Sequence, residues 1–296
     1  MKGKNAPAVE ATALVKTFTP KNARTVTALR GLDFSVSAGE LTALVGPDGA
    51  GKTTLLRLIA GLLDKTAGDL LVLGHDVAKE PQKVQSRLSY MPQKFGLYED
   101  LTVEENMQLY ADLHGIAQEK RLTRFPRLLH MTGLAPFTGR LAGNLSGGMK
   151  QKLALCCALI HRPTVLFLDE PTTGVDPVSR KELWEMLDCL KQKGITIVAS
   201  TPYLDEVRCC DRVAFLSQGE VKGIGTPEEI LTQFRAVFNP APIKKSHPLG
   251  DTGQEGVGTQ AVIEVKNLVK SFGGFHAVDG ISFSVQRGEI FGFLGA

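Results

Sequence analysis

Short apolar runs rich in Val, Ile and Leu alternate with helix-length segments along most of the chain. The runs "LTALVG" at 41 to 46, "VLFLD" at 165 to 169 and "ITIVAS" at 195 to 200 read as buried strands, and 52 to 62 and 177 to 193 read as helices. This alternation predicts an α/β domain with a mostly parallel central sheet. From about residue 100 to 160 strand signals are missing and several helical patterns occur, which predicts a helical insert on that sheet.

The pattern also repeats. "EATALVKTF" at 10 to 18 returns as "EVKNLVKSF" at 264 to 272, and "ALRGLDFSVSAGELTALVG" at 28 to 46 returns as "AVDGISFSVQRGEIFGFLG" at 277 to 295. Between the copies, 236 to 260 is rich in Gly and Pro without an apolar period, the composition of a flexible linker. The expected organisation is one complete domain over 1–235, a linker over 236–260, and over 261–296 the N-terminal part of a second domain. A stretch that short closes no core of its own. It either adds edge strands to the first domain or opens a truncated tandem copy, and the second reading is preferred.

Composition narrows the setting. The apolar runs fall far short of the roughly 20 residues of a spanning helix, and the N-terminus lacks the apolar core of a signal peptide, so the expectation is a cytosolic protein. A formal net charge of +3 arises from 34 basic and 31 acidic residues mixed along the chain. The basic stripe of a nucleic-acid binder is missing, and no nucleic-acid partner is expected. The five cysteines show no C-x-x-C spacing and read as reduced thiols packed as small apolar residues.

Two elements carry phosphate chemistry. "GPDGAGKTT", comprising Gly46, Pro47, Asp48, Gly49, Ala50, Gly51, Lys52, Thr53 and Thr54, follows a predicted strand and opens a predicted helix. Its glycines let successive N–H groups converge on phosphate oxygens, and the helix N-terminus adds partial positive charge. Lys52 suits the β and γ oxygens of ATP, and the Thr53 hydroxyl suits Mg²⁺. In "VLFLDEPTTGVDP" a strand ends in two carboxylates expected on opposite sides of the backbone. Asp169 suits an outer-shell contact to Mg²⁺, and Glu170 suits the base that orients or deprotonates the attacking water.

Between these elements lies "NLSGGMKQKLALCCALI", and with it the chain resembles the ATP-binding subunits of ABC transporters. The resemblance covers residues 8 to 235 and the opening of a second copy. It implies a P-loop ATPase fold with a mostly parallel central sheet, an antiparallel β edge and a helical subdomain. It further implies that Ser146, Gly147 and Gly148, which open a helix, close over ATP held by a second nucleotide-binding domain. Gln93 in "YMPQ" resembles the glutamine that sits near Mg²⁺ and the water and senses the membrane subunit; Asp176 resembles the D-loop aspartate. Phe18 reads either as the aromatic that stacks on adenine or as core. The run "QKFGLYEDLTVEENMQLYADLHG" is similar to ABC-2 type exporter subunits. It implies transmembrane permease partners and a place at the inner face of the cell membrane.

One position departs from the family. Where it carries a switch histidine, "STPYLDE" places Pro202, which has neither donor nor acceptor. By analogy with oxyanion donors the missing bond costs roughly 2.7–4 kcal/mol, about a hundred- to a thousandfold in rate. The expectation is a site that binds ATP well and turns it over poorly. Rival readings are a ribosome-acting tandem ABC protein, which typically has a long charged linker, and a non-functional fragment.

Overall fold

The computed structural model describes residues 7–19, 24–94, 96–234, 261–272, 275–287, 289 and 291–292. They fall into two units, divided between Asn239 and Pro240. The expected linker, 236–260, lies outside the described residues.

The first unit begins with a long antiparallel hairpin, β1 (Pro7–Phe18) and β2 (Val26–Ser37), and then enters the core through β3 (Leu41–Val45), the phosphate loop and α1 (Lys52–Ile59). β4 (Ala67–Val72), β5 (His75–Asp76), α2 (Pro81–Gln85) and β6 (Leu88–Met91) follow. The insert comprises α3 (Val103–Leu113), α4 (Gln118–Thr132) and α5 (Gly147–Leu159). The chain returns through β7 (Val165–Asp169), α6 (Pro177–Gln192), β8 (Thr196–Ser200), α7 (Leu204–Val207), β9 (Arg212–Ser217), β10 (Glu220–Gly225) and α8 (Pro227–Gln233). The predicted strands and helices recur with small end shifts. The first helix stops at Ile59 rather than 62 because the chain turns at Gly61, whose φ of +68° an L side chain adopts only under strain.

The six-stranded sheet has the order β10-β9-β3-β8-β7-β6, parallel throughout except for β10, while β2-β1-β4-β5 form an antiparallel sheet beside it. Every residue of β3, β7 and β8 is buried, as their unbroken apolar runs require. The two faces take alternate residues. Val165 and Phe167 join Leu55, Leu58 and the antiparallel sheet on one side; Leu166 and Leu168 join Leu155, Leu183 and Leu187 on the other. Full burial of Phe167 alone contributes about 1.5–3 kcal/mol.

The helical subdomain has its own core, in which Val103 and Met107 of α3 and Phe125 and Leu129 of α4 meet Leu153 and Cys156 of α5. Because α5 also packs Ala154 and Leu155 onto the sheet, it is apolar on nearly every side. Thr102 and Glu105 form a reciprocal capping box that starts α3. Among the described residues no helix is long and apolar enough to cross a membrane.

The second unit is a hairpin, β11 (Ala261–Phe272) and β12 (Phe275–Gln286), which pair with each other as a two-stranded sheet. It repeats β1 and β2 in detail. Val9↔Val36, Ala11↔Phe34 and Leu14↔Leu32 correspond to Ile263↔Val285, Val265↔Phe283 and Leu268↔Ile281, with the same register shift before the third pair. Ala13 and Asn267 both have φ of +47°, and each N–H is bonded across the hairpin, to Asp33 Oδ1 and Ser282 Oγ. Burial differs: Leu14 is fully buried, whereas its counterpart Leu268 is 47% exposed.

One expectation needs correction, and one open choice narrows. Cys156, Cys157 and Cys210 are buried, but Cys189 and Cys209 are exposed, so the picture of thiols packed as apolar residues holds for three of the five. Phe18 is not core: it is 37% exposed at the end of β1, with Lys16 Nζ 4.9 Å from its ring centroid.

Burial pushes the Cys156 thiol up to about 12 and raises Cys157 and Cys210 as well, leaving them without thiolate at neutral pH. Labelling with an aromatic disulfide reagent is expected to modify Cys189 and, more slowly because burial and nearby carboxylates raise its pKa, Cys209; the three buried thiols react only in denaturant. Gly46 has φ of +152°, and an added Cβ would lie 2.0 Å from the Leu216 carbonyl oxygen of β9. Gly46→Ala is therefore expected to lower stability by at least about 1–3 kcal/mol, measured by urea unfolding.

Candidate ATP site at the ends of the parallel strands

The phosphate loop leaves β3 at Gly46 and enters α1 at Lys52. Two of its glycines are sterically required. Gly46 passes against Leu216, and at Gly51, with φ of +108°, a Cβ would lie 2.9 Å from the Ala28 carbonyl oxygen. Lys52 is buried and donates to the carbonyls of Gly46, at 2.8 Å, and Pro47, at 3.1 Å. Its ammonium is thus held at the loop that it is expected to serve. Thr54, next on α1, is half-buried.

Asp169 ends β7 with 1% of its surface exposed. Three hydroxyls reach it: Thr53 Oγ1 at 3.0 Å and Ser200 Oγ at 2.8 Å donate to Oδ1, and the Tyr90 hydroxyl donates to Oδ2 at 3.1 Å. Interaction with the Tyr90 hydroxyl raises the pKa of the nearby Arg57 guanidinium. Thr53 and Asp169 form an all-oxygen donor pair suited to a small hard cation.

Glu170 was expected to point away from Asp169 by strand alternation. Alternation does not govern it, since β7 ends at Asp169 and Glu170 turns out of the strand with φ of +50°. Its N–H donates to Ser200 Oγ at 2.9 Å, and its Oε2 accepts from Gln93 Nε2 at 2.9 Å and Thr173 Oγ1 at 3.1 Å. Gln93 therefore sits on the base candidate and not on Asp169.

The signature residues form a second cluster. Ser146 is the N-cap of α5 and accepts from the Met149 N–H at 3.3 Å; Gly147 and Gly148 form the first turn. Gly148 allows close packing, because a Cβ there would lie 2.4 Å from Ser179 Oγ. Asp176 caps α6 by accepting from the Ser179 N–H at 2.9 Å, and that bond holds its carboxyl below the usual range.

Pro202 is exposed in the turn after β8. The turn is fixed by neighbours, as Thr201 donates to Glu206 and accepts from the Tyr203 N–H at 3.0 Å. Arg180 bonds Glu206 at 2.9 Å and Asp205 at 3.1 Å, and stacks 3.9 Å from the centre of the Tyr203 ring. Behind β6 lies a groove of about 510 Å³ lined by Tyr90, Met91, Pro92, Tyr110, His114 and Cys157.

Lys52, Thr53, Asp169, Glu170 and Gln93 thus meet at the C-terminal ends of the parallel strands, where α/β sheets hold ligands. Tyr90, Ser200 and Thr173 were not singled out from the sequence. Tyr90 lies in the quoted "YMPQ" and Ser200 ends the quoted "ITIVAS", but a hydroxyl on a strand carries no pattern of its own.

The family described as "ABC transporter" matches residues 29–173. The chain is 41% identical over 341 aligned residues to the probable multidrug ABC transporter ATP-binding protein YbhF of Escherichia coli K12, covering 90% of this chain and 59% of that protein. The chain thus spans about three fifths of the length of that relative. It is 34% identical over 208 residues to the linearmycin resistance ATP-binding protein LnrL of Bacillus subtilis 168, covering 70% of this chain and 67% of LnrL. The dimeric ATP-binding cassette MJ0796, solved with ADP and Pi, aligns with a TM-score of 0.68 at 26% identity, over 74% of this chain and 98% of that one. By fold, site and relatives, the chain belongs to the ATP-binding subunits of ABC transporters, a family of transport-coupled ATPases.

Proposed function

We propose that this protein is the energy-coupling subunit of an ABC-2 type export complex, with a site that holds ATP more effectively than it hydrolyses it. The observation that carries this reading is the convergence of Lys52, Thr53, Asp169 and Glu170 on one sheet end, beside a turn in which Pro202 offers no hydrogen bond.

ATP binding rests on the loop of Gly46 to Thr54. Its N–H groups and the α1 N-terminus face the phosphates, and Lys52 exchanges two carbonyl partners for phosphate oxygens in stronger charge-assisted bonds. Thr53 and Asp169 would hold Mg²⁺, which neutralises charge building up on the phosphates. The Glu170 carboxylate, pinned by Gln93 and Thr173, orients the attacking water and takes its proton. Phe18, exposed at the end of β1, suits stacking on adenine. Ser146, Gly147, Gly148 and Asp176 face the ATP of a partner cassette, an arrangement favoured by likeness to the dimeric MJ0796.

The groove behind β6, whose lining reaches Pro92 next to Gln93, suits the permease that ATP-driven closure would move. The protein would then sit at the inner face of the cell membrane. YbhF is named as a probable multidrug transporter subunit and LnrL as a resistance protein, which supports drug-like or amphiphilic cargo. We take 1–235 as one nucleotide-binding domain, 236–260 as a linker and 261–296 as the opening of a second. The shared register of β11–β12 and β1–β2 supports this division.

ATP affinity and phosphate release, measured on the full chain, Pro202→His and Glu170→Gln, test the reading. The expected result is tight binding with slow release, accelerated by Pro202→His up to about a hundred- to a thousandfold and not by Glu170→Gln. Rapid release by the unaltered chain, abolished by Glu170→Gln, would show an ordinary ATPase and overturn the held-nucleotide reading.

A further inference from the structure

Two of the three hydroxyls on Asp169 come from outside the phosphate loop. In the sheet β7 lies between β8 and β6, and each neighbouring strand sends one hydroxyl to the same buried carboxylate. Ser200, paired with Asp169 across β8 and β7, donates to Oδ1 at 2.8 Å; Tyr90 donates to Oδ2 at 3.1 Å. A carboxylate whose two oxygens are held from opposite sides loses the freedom to rotate about its last bond. Each partner is itself fixed. Ser200 is fully buried and also accepts the Glu170 N–H at 2.9 Å, and Tyr90 packs against the core that Leu55 and Leu58 share.

The arrangement differs from a bond that only satisfies buried charge. Thr53 already shares Oδ1, so the direction of that oxygen decides how a cation would be held between the two. Ser200 in addition joins the backbone of Glu170, in its left-handed conformation, to the carboxylate of Asp169 through a single oxygen.

We propose that Tyr90 and Ser200 are positioning residues that clamp Asp169 from its two neighbouring strands, with Ser200 also tying the Glu170 backbone to it. The clamp rests on the reading of Asp169 as a residue that faces Mg²⁺. Its role is to keep Oδ1 directed at the Thr53 hydroxyl before the metal arrives, so that little reorganisation is left for binding.

Tyr90→Phe keeps the ring and Ser200→Ala nearly keeps the volume, so both variants are suited to a folded comparison. The full chain, these two variants and Asp169→Asn are titrated with Mg²⁺ in the presence of a fluorescent ATP analogue, and analogue affinity is also measured without metal. The titrations are run at a temperature where circular dichroism shows every variant folded. The expected result is a Mg²⁺ midpoint raised about tenfold or more in Tyr90→Phe and Ser200→Ala, with metal-free affinity unchanged. A purely structural role would lower the melting temperature and leave the midpoint where it is. Midpoints equal to that of the parent, while Asp169→Asn shifts, would overturn the clamp alone. No shift in Asp169→Asn would overturn the metal assignment beneath it and the clamp with it.

Discussion

The site depends on satisfying one carboxylate where almost no water reaches it. Asp169 has 1% of its surface exposed, and burying such a group without compensating hydrogen bonds is costly. Its compensation comes from Thr53 on α1, Tyr90 on β6 and Ser200 on β8, three elements far apart in sequence. The order β8-β7-β6 is what brings those hydroxyls to the end of β7, and α1 reaches it because Gly46 lets the loop pass closely over β9. Chemistry and topology therefore constrain each other: any change in strand order strands the charge.

The parts of the fold that were legible are those for which burial leaves one option. "VLFLD" and "ITIVAS" are too short for helices and too apolar for an exposed strand, so they belong in the middle of a covered sheet, where they are found. The phosphate loop was legible because its glycines answer to specific close approaches, to Leu216 and Ala28. Readings that needed tertiary context failed or stayed open. An aromatic such as Phe18 looks the same in a core and on a rim, and adjacent cysteines such as Cys209 and Cys210 fall on opposite sides of a short turn, one exposed and one buried. Strand alternation does not apply to Glu170, because alternation assumes that a strand continues and this one stops at Asp169.

The repeated hairpin separates local from tertiary information. β11 and β12 reproduce the register of β1 and β2, including the shift before Leu268 and the positive φ at Asn267. Register and bulge are thus carried by the hairpin's own pattern and by the N–H bond across it. Burial is not carried in this way. In the first unit Leu14 is covered in a core that Leu55 and Leu58 of α1 share, while Leu268 is half exposed, so the same register occurs with different burial.

The groups that hold nucleotide and those that would turn it over are supported by different elements. Lys52 is bonded within its own loop and Thr53 reaches the end of β7, so neither depends on the turn after β8. Pro202 stands in that turn, which is set by Arg180, Tyr203, Glu206 and Thr201 and needs nothing from the residue at 202. In the held-nucleotide reading proposed above, the turn keeps its shape while Pro202 offers a γ-phosphate no hydrogen bond. Ser200 keeps the end of β8 joined to the Asp169 carboxylate and to the Glu170 backbone, so in that reading the effect of Pro202 is local. On that reading, a turn that lacks a hydrogen-bond donor but leaves the bonds around Asp169 and Glu170 in place would lower turnover much more than affinity.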